Sequence, residues 1–286
     1  MRHRLLAGEL RRLRADAALT GPTVAKDLGW STAKFSRMES ALIRPSPSDV
    51  QALIDYYGVP SSEQGTFIQL ARQATQRNWW DQHVKALPDS YIQYIGLEHE
   101  AKSVVNWEMG VMPGLLQVDA YMDAVNSVGL EHFALPPGAL RLRRQVRSQR
   151  QELLTGPDPL ELIAIFDEAV LLRPVGGPAL MRSQLDHLVK MAKLPNVTIQ
   201  VLELSKPYPL LGAASLTQLR FGPDESLGGL VHPEVTYAES LLGGSFIYAE
   251  DETHQHNRMM QHLIQASLGP EESIRLIREA AAKLAD

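Results

Sequence analysis

Apolar residues recur at every third or fourth position through the first part of the chain, with polar residues between them. Leu5, Leu6, Leu10, Leu13 and Ala17 form one stripe over residues 3–17, and Arg4, Arg11, Arg12 and Arg14 fall outside it, which predicts an amphipathic helix. Residues 20–40 carry a shorter version of the pattern twice. Val24, Ala25 and Leu28 make one apolar face; Gly29 then supplies a residue that tolerates positive φ where the chain must turn. Ser31 is placed to cap a second helix, and Phe35 and Met38, three apart, point back onto the first. Thr32, Ala33, Lys34, Ser36 and Arg37 are left facing outward. Pro45 and Pro47 interrupt the pattern. A helix opened by Ser48 and Asp49 carries Val50, Leu53, Ile54 and Tyr57 and stops at Gly58, and a fifth helix runs from Ser61 to about Gln76 with Phe67, Leu70 and Ala71 inward.

Beyond residue 90 the period changes. A helix over 91–102 is followed by an alternating stretch, SVVNWEM (103–109), that reads as a strand. A turn at Pro113-Gly114 leads into a helix from Leu115 to about Val128. A basic helix follows, with Leu142, Val146 and Leu153 as its buried stripe. Strands are expected at 160–166, 197–202, 214–221, 234–239 and 245–248, and helices at 179–194, 251–267 and 271–285. The chain is therefore predicted to be multidomain: an all-α five-helix bundle over 1–76, a boundary over 77–90 containing Trp79 and Trp80, and an α/β or α+β domain with a mixed sheet over 91–286.

A short braced helix with small, polar and cationic residues outward suits the major groove of DNA; the plainer alternative is a helical hairpin inside a bundle. Charge favours DNA. Residues 1–60 hold nine Lys/Arg and six Asp/Glu, about +3, while the remainder holds nineteen and twenty-seven, about −8, which together give the formal net charge of −5. A basic end on an acidic body fits a protein that meets DNA with one end, and so few cations favour a dimer that doubles the contacts. The arginines of the opening helix, Arg11 among them, are candidates for phosphate, with a solvated face as the equal alternative.

The stretch LLAGELRRLRADAALTGPTVAKDLGWSTAKFSRMESALIRPSPSDVQALIDYYGV resembles the Xre/Cro helix-turn-helix domain in the order of its landmarks: L-R-R-L-R, V-A-K-D-L-G, S-x-x-x-F-S-R-M-E and Y-Y-G-V. The resemblance implies that Thr32, Ala33, Ser36 and Arg37 meet base edges and that Lys34 and Arg44 meet phosphates. Two positions depart from it. Gly21 and Pro22 stand where such domains often carry a glutamine and an apolar residue, and Ala41 stands where glycine usually closes the recognition helix.

Hydrophobic residues at 44% and charged residues at 21% are ordinary for a chain with a packed core, and 286 residues suit two domains. The absence of cysteine excludes disulfides, thiolate catalysis and cysteine zinc sites, and fits a cytoplasmic protein. No apolar run reaches membrane-helix length, and no apolar core or cleavage site follows the basic N-terminus, so neither a membrane segment nor a secretory signal is expected.

No glycine-rich phosphate loop is present, and Ser215 and Ser226 have no nucleophile-elbow context. His254 and His256 point about 200° apart on a helix and His262 lies two turns further along, a poor arrangement for one metal. Asp167 and Glu168 are adjacent and read as partners for arginine rather than as an acid–base pair. No cofactor or metal is expected. An enzyme with a DNA-binding appendage is the alternative function class.

Arg143, Arg147 and Arg150 share one face of the basic helix. They suit phosphate, an acidic partner or a carboxylate ligand, or else internal ion pairs with Glu161, Asp167 or Glu168. The segments YIGLEHEAKSVVNWEMGVMPGLLQVDAYMDAV, RLRRQ, IFDEAVLLRPVGGPALMRSQLDHLVKMAKLPNVTIQVLE and EVTYAES resemble the C-terminal domain of actinobacterial regulators of the WhiJ type. That resemblance implies an antitoxin-like regulator encoded beside a small partner protein. A small-molecule effector is the other possibility, with Tyr91, Tyr94, Trp107 and Phe166 as candidate wall residues.

Overall fold

The computed structural model describes residues 2–40, 43–75, 79–83, 87–133, 137–206, 215–222, 234–240 and 243–284. Internal contacts divide the chain into two units, one reaching Asp81 and the other comprising Gln82–Phe221 with Glu234–Asp286.

The first unit is helical: α1 (Arg2–Asp16), α2 (Gly21–Asp27), α3 (Thr32–Glu39), α4 (Pro47–Tyr56) and α5 (Ser61–Thr75). α5 packs against α1 and α4, and α3 packs against α1 and α2. Leu6, Leu10, Val24, Phe35, Met38 and Leu70 meet in one core and are each at most 2% exposed. α4 begins at Pro47, one residue before the Ser48 start that the pattern suggests. Ser46 accepts from Asp49 N at 3.1 Å while the Asp49 carboxylate accepts from Ser46 N at 3.3 Å, a reciprocal cap. Pro47 thus sits in the first turn, where its missing N–H leaves no helix bond unmade, so it starts the helix rather than breaking the chain.

The second unit is built on a six-stranded mixed sheet of β1 (Ser103–Glu108), β2 (Glu161–Asp167), β3 (Val197–Leu202), β4 (Ser215–Arg220), β5 (Glu234–Ser240) and β6 (Gly243–Ile247). The spatial order is β3-β2-β1-β4-β5-β6. β1, β2 and β3 pair in parallel, and β4, β5 and β6 continue antiparallel from β1. The helices are α6 (Asp89–Glu100), α7 (Asp119–Phe133), α8 (Pro137–Gln151), the short α9 (Ala169–Leu172), α10 (Pro178–Met191), α11 (Glu250–Ala266) and α12 (Pro270–Lys283). Strand alternation sends Val105, Trp107, Ile165 and Leu216 to one face, where Met260 and Leu263 of α11 cover them. Val104, Asn106, Glu108 and Thr217 point to the other. The outer edge of β3 is closed by the α11–α12 connection: Ser273 Oγ accepts from Val201 N at 3.0 Å, and Leu268 N donates to Val201 O at 2.9 Å.

The helix expected over 115–128 is two elements. A single 3-10 turn spans Gly114–Leu116, the chain extends through Gln117, and α7 begins at Asp119. The cause is Gln184 of α10, whose side-chain amide accepts from Val118 N at 2.8 Å and donates to Leu116 O at 2.7 Å. Those bonds replace the ones a continuous helix would make. Among the described residues Asp167 and Glu168 pair with no arginine. Asp167 Oδ1 accepts from Ala169 N at 2.8 Å and Glu168 Oε2 from Leu204 N at 2.9 Å, so both carboxylates hold backbone at the end of β2. Ala41 and Ser226 lie outside the described residues, as do 77–78 and 84–86 of the expected boundary. Among the described residues no helix is long and apolar enough to cross a membrane.

Candidate nucleic-acid interface and a buried polar cavity

α3 is only eight residues long, so its placement depends on what grips it. At its N-terminus Ser31 Oγ accepts from Lys34 N at 3.2 Å. Gly29 turns the chain with φ of 68°. Phe35 and Met38 anchor the inner face at 2% and 1% exposure. A Cβ at position 21 would lie 3.1 Å from the Phe35 ring, so glycine there lets the start of α2 close over that ring. At the other end, Arg14 of α1 donates to both Glu39 oxygens, at 2.7 and 3.0 Å, and to Leu19 O at 2.8 Å. Arg11 donates to the Glu39 carbonyl. Arg12 bonds Glu9 and Asp16 within its own helix, at 2.9 and 3.0 Å.

Thr32, Ala33, Ser36 and Arg37 are exposed on the outer face of α3. Arg37 Nε donates to Ala33 O at 3.2 Å. Arg44 is half-buried in the segment between α3 and α4. Lys34 differs from this set. Its ammonium lies 2.6 Å from Asp49 Oδ1 and 4.3 Å from the centroid of Trp30. Burial alone would raise the Asp49 carboxyl, but hydrogen bonds from Lys34 and Ser46 outweigh it and hold the group below its ordinary value. Lys34 thus ties α3 to the capped start of α4.

In the second unit a cavity of about 460 Å³ lies between the sheet face that carries Asn106 and Glu108 and helices α6, α7 and α8. Its back wall holds a buried ion pair. Arg150 donates to Glu98 at 2.6 and 2.7 Å and to the Tyr91 hydroxyl at 2.8 Å, and Tyr94 donates to Glu98 at 2.7 Å. Burial alone would lower the Arg150 guanidinium; the Glu98 carboxylate outweighs it and keeps the group well above its ordinary value. Tyr91, Tyr94 and Tyr237 form an aromatic strip, with the Tyr94 and Tyr237 centroids 4.6 Å apart. Glu108 receives hydrogen bonds from Ser215 and from Asn106 Nδ2, the latter at 3.3 Å. Arg147 donates to Gln117 Oε1 at 2.8 Å and Gly114 O at 3.4 Å, while its Nε is buried with no hydrogen-bond partner. Arg143 donates to Asn126 Oδ1 at 3.4 Å.

Residues 91–279 match the family described as a domain of unknown function (DUF5753), and residues 5–65 match a helix-turn-helix domain. The chain belongs to the DUF5753 family. Its N-terminal helix-turn-helix domain makes it a DNA-binding regulator of the Xre-like kind. No curated protein and no solved structure matches it.

Within the DUF5753 domain, five of the seven residues that sequence singled out line the cavity: Tyr91, Tyr94, Arg143, Arg147 and Arg150. Trp107 is not a wall residue, because strand alternation buries it at 2% exposure against α11 on the opposite face. Phe166 is also not a wall residue; it lies beside Glu108 in register but is wholly buried and does not reach the cavity. Of Arg143, Arg147 and Arg150, only Arg150 pairs with an acid among the described residues, and that acid is Glu98, not Glu161, Asp167 or Glu168. Sequence reasoning missed Glu98, Asn106, Glu108 and Gln117. One signal was present: polar Asn106 and Glu108 alternate with apolar Val105 and Trp107 in a strand buried on both faces.

Burial raises the Glu108 carboxyl from 4.5 to about 7. Between those values the unfolded chain has released a proton that the folded domain keeps, so rising pH favours unfolding. The penalty is absent below the lower value and reaches about 3 kcal/mol above the upper one. Urea denaturation of wild type and Glu108→Gln should therefore show the wild type losing stability relative to the variant from about pH 5 to about pH 8. Parallel curves would contradict the assignment.

Proposed function

We propose that the protein is a sequence-specific transcriptional regulator of the WhiJ type, an Xre-like DNA reader joined to an antitoxin-like sensor domain. It acts in the cytoplasm of an actinobacterium as a homodimer, and it is a regulator rather than an enzyme. Thr32, Ala33, Ser36 and Arg37 read base edges in the major groove; Arg44 and Arg11 approach phosphate, and Lys34 exchanges Asp49 for phosphate on binding. The dimer places two α3 helices about 34 Å apart, or a multiple of that, on a double-stranded operator. The C-terminal domain answers to a small molecule or to a small partner protein encoded nearby.

The observation that carries this reading is α3 itself: a capped, eight-residue helix whose inner face is buried and whose outer face leaves four short or cationic side chains exposed. A guanidinium matches guanine O6 and N7 bidentately, so Arg37 is the specificity residue. Arg37→Ala should cost about 1–3 kcal/mol on the operator and relax preference at one position. The operator is first recovered by selection from random duplexes, and binding is then followed by fluorescence anisotropy on operator and scrambled DNA across salt. Equal losses on both DNAs would reject the specificity role.

A further inference from the structure

The charges around the cavity do not balance evenly in space. Glu98 and Arg150 neutralise each other in the back wall, leaving Arg143 and Arg147, one turn apart on α8, with only neutral acceptors: Asn126, Gln117 and the Gly114 carbonyl. Among the described residues neither guanidinium has a carboxylate partner. Arg147 also keeps a buried nitrogen unbonded, an expensive state for a cation. The cationic side of the cavity is therefore hydrogen-bonded only to neutral groups among the described residues. A dianion is disfavoured there, because Glu108 and Glu239 border the same space. The Tyr91–Tyr94–Tyr237 strip gives a planar body something to lie against, and Glu108, oriented by Ser215 and Asn106, faces the cavity as a directed polar group. About 460 Å³ is within the size of small-molecule sites.

We propose that this cavity is the binding site for a small aromatic carboxylic acid carrying a hydroxyl or amino donor, with its carboxylate at Arg143 and Arg147, its ring on the tyrosine strip and its donor on Glu108. The site needs no contribution from the DNA-binding reading, but its role as the effector site rests on that reading.

Salicylate, anthranilate, 4-hydroxyphenylacetate and indole-3-acetate, with benzoate as the donor-free reference and each acid beside its primary amide, are the probes, tested on the full chain by thermal shift and titration calorimetry. Acids of the series should raise the melting temperature and their amides should not, since an amide brings no charge. Arg147→Gln should weaken the acids by roughly ten- to a hundred-fold. Glu108→Gln should keep acid-over-amide preference while losing the advantage of donor-bearing acids over benzoate. Circular dichroism of each unliganded variant separates lost binding from lost folding; should Arg147→Gln fail to fold, Arg143→Gln and the acid–amide comparison on wild type decide. No shift from any acid, equal shifts from acids and amides, or unchanged affinity in a folded Arg147→Gln protein overturns the proposal. Operator anisotropy on the same samples keeps the two readings apart. Acid binding without any change on DNA leaves the site standing and removes its regulatory role. DNA binding with no acid bound leaves the regulator standing and removes the site.

Discussion

Replacing Glu98 with glutamine should destabilise the C-terminal domain by about 3–5 kcal/mol, the usual consequence of leaving one half of a buried ion pair unneutralised. Glu98 is 0% exposed and Arg150 4%, so water cannot take over the lost role. Glu98 receives two hydrogen bonds from the guanidinium and one from Tyr94, and Arg150 also stands 5.0 Å from the Tyr94 ring. A neutral amide keeps the shape and removes the counter-charge, so the loss is electrostatic rather than steric. The pair itself is not expected to be worth that much. Two charges taken out of water give back in attraction about what they lose in hydration. The double variant Glu98→Leu with Arg150→Met should therefore recover much of the stability lost by Glu98→Gln alone. Urea denaturation followed by tyrosine fluorescence measures both. A loss below about 1 kcal/mol for the single variant would mean that Arg150 finds another anion or reaches solvent.

Phe35→Ala should cost about 3–5 kcal/mol in the first unit and abolish operator binding at the same time. The ring is 2% exposed in the core shared by α1 to α5, and Gly21 is shaped around it. Removing it leaves a void that α2 and α3 cannot both close, because Lys34–Asp49 and Arg14–Glu39 pin α3 at two other points. The outer face of α3 is not touched by the substitution. Loss of helical signal at low urea together with loss of DNA binding is thus the expected result. A variant that loses stability yet binds operator with wild-type affinity would show that α3 does not need its anchor to present the reading face.

How much of this was legible in the sequence depended on how local its causes are. The helix-turn-helix unit was readable because each device lies within a few residues: Gly29 for the turn, Ser31 for the cap, and Phe35 with Met38 for the buried face. Its long-range grips were not readable. Glu39 meets Arg14 across 25 residues and Asp49 meets Lys34 across 15, so Lys34 looked like a free cation on an outward face. In the second unit the strand at 197–202 matched residue for residue, since a β-branched run flanked by turn residues has few other readings. The break at Gln117 was hidden because its cause, Gln184, lies more than sixty residues away. Strand order was likewise out of reach, because a parallel half and an antiparallel half joined at β1 leave no local trace. The cavity fell between these cases. Its arginine face followed from helical spacing, but Glu98 and Glu108 come from elements that meet only in three dimensions.

Methylation interference on the recovered operator tests most directly whether α3 reads bases. Methylating guanine N7 fills the major-groove acceptor that a guanidinium needs. Modification at one guanine in each half-site, with the half-sites a helical turn or a multiple apart, should exclude the wild-type protein and be tolerated by Arg37→Ala. A bound protein indifferent to N7 methylation at every guanine, or one whose Arg37→Ala variant keeps the same interference pattern, would contradict major-groove reading by this helix.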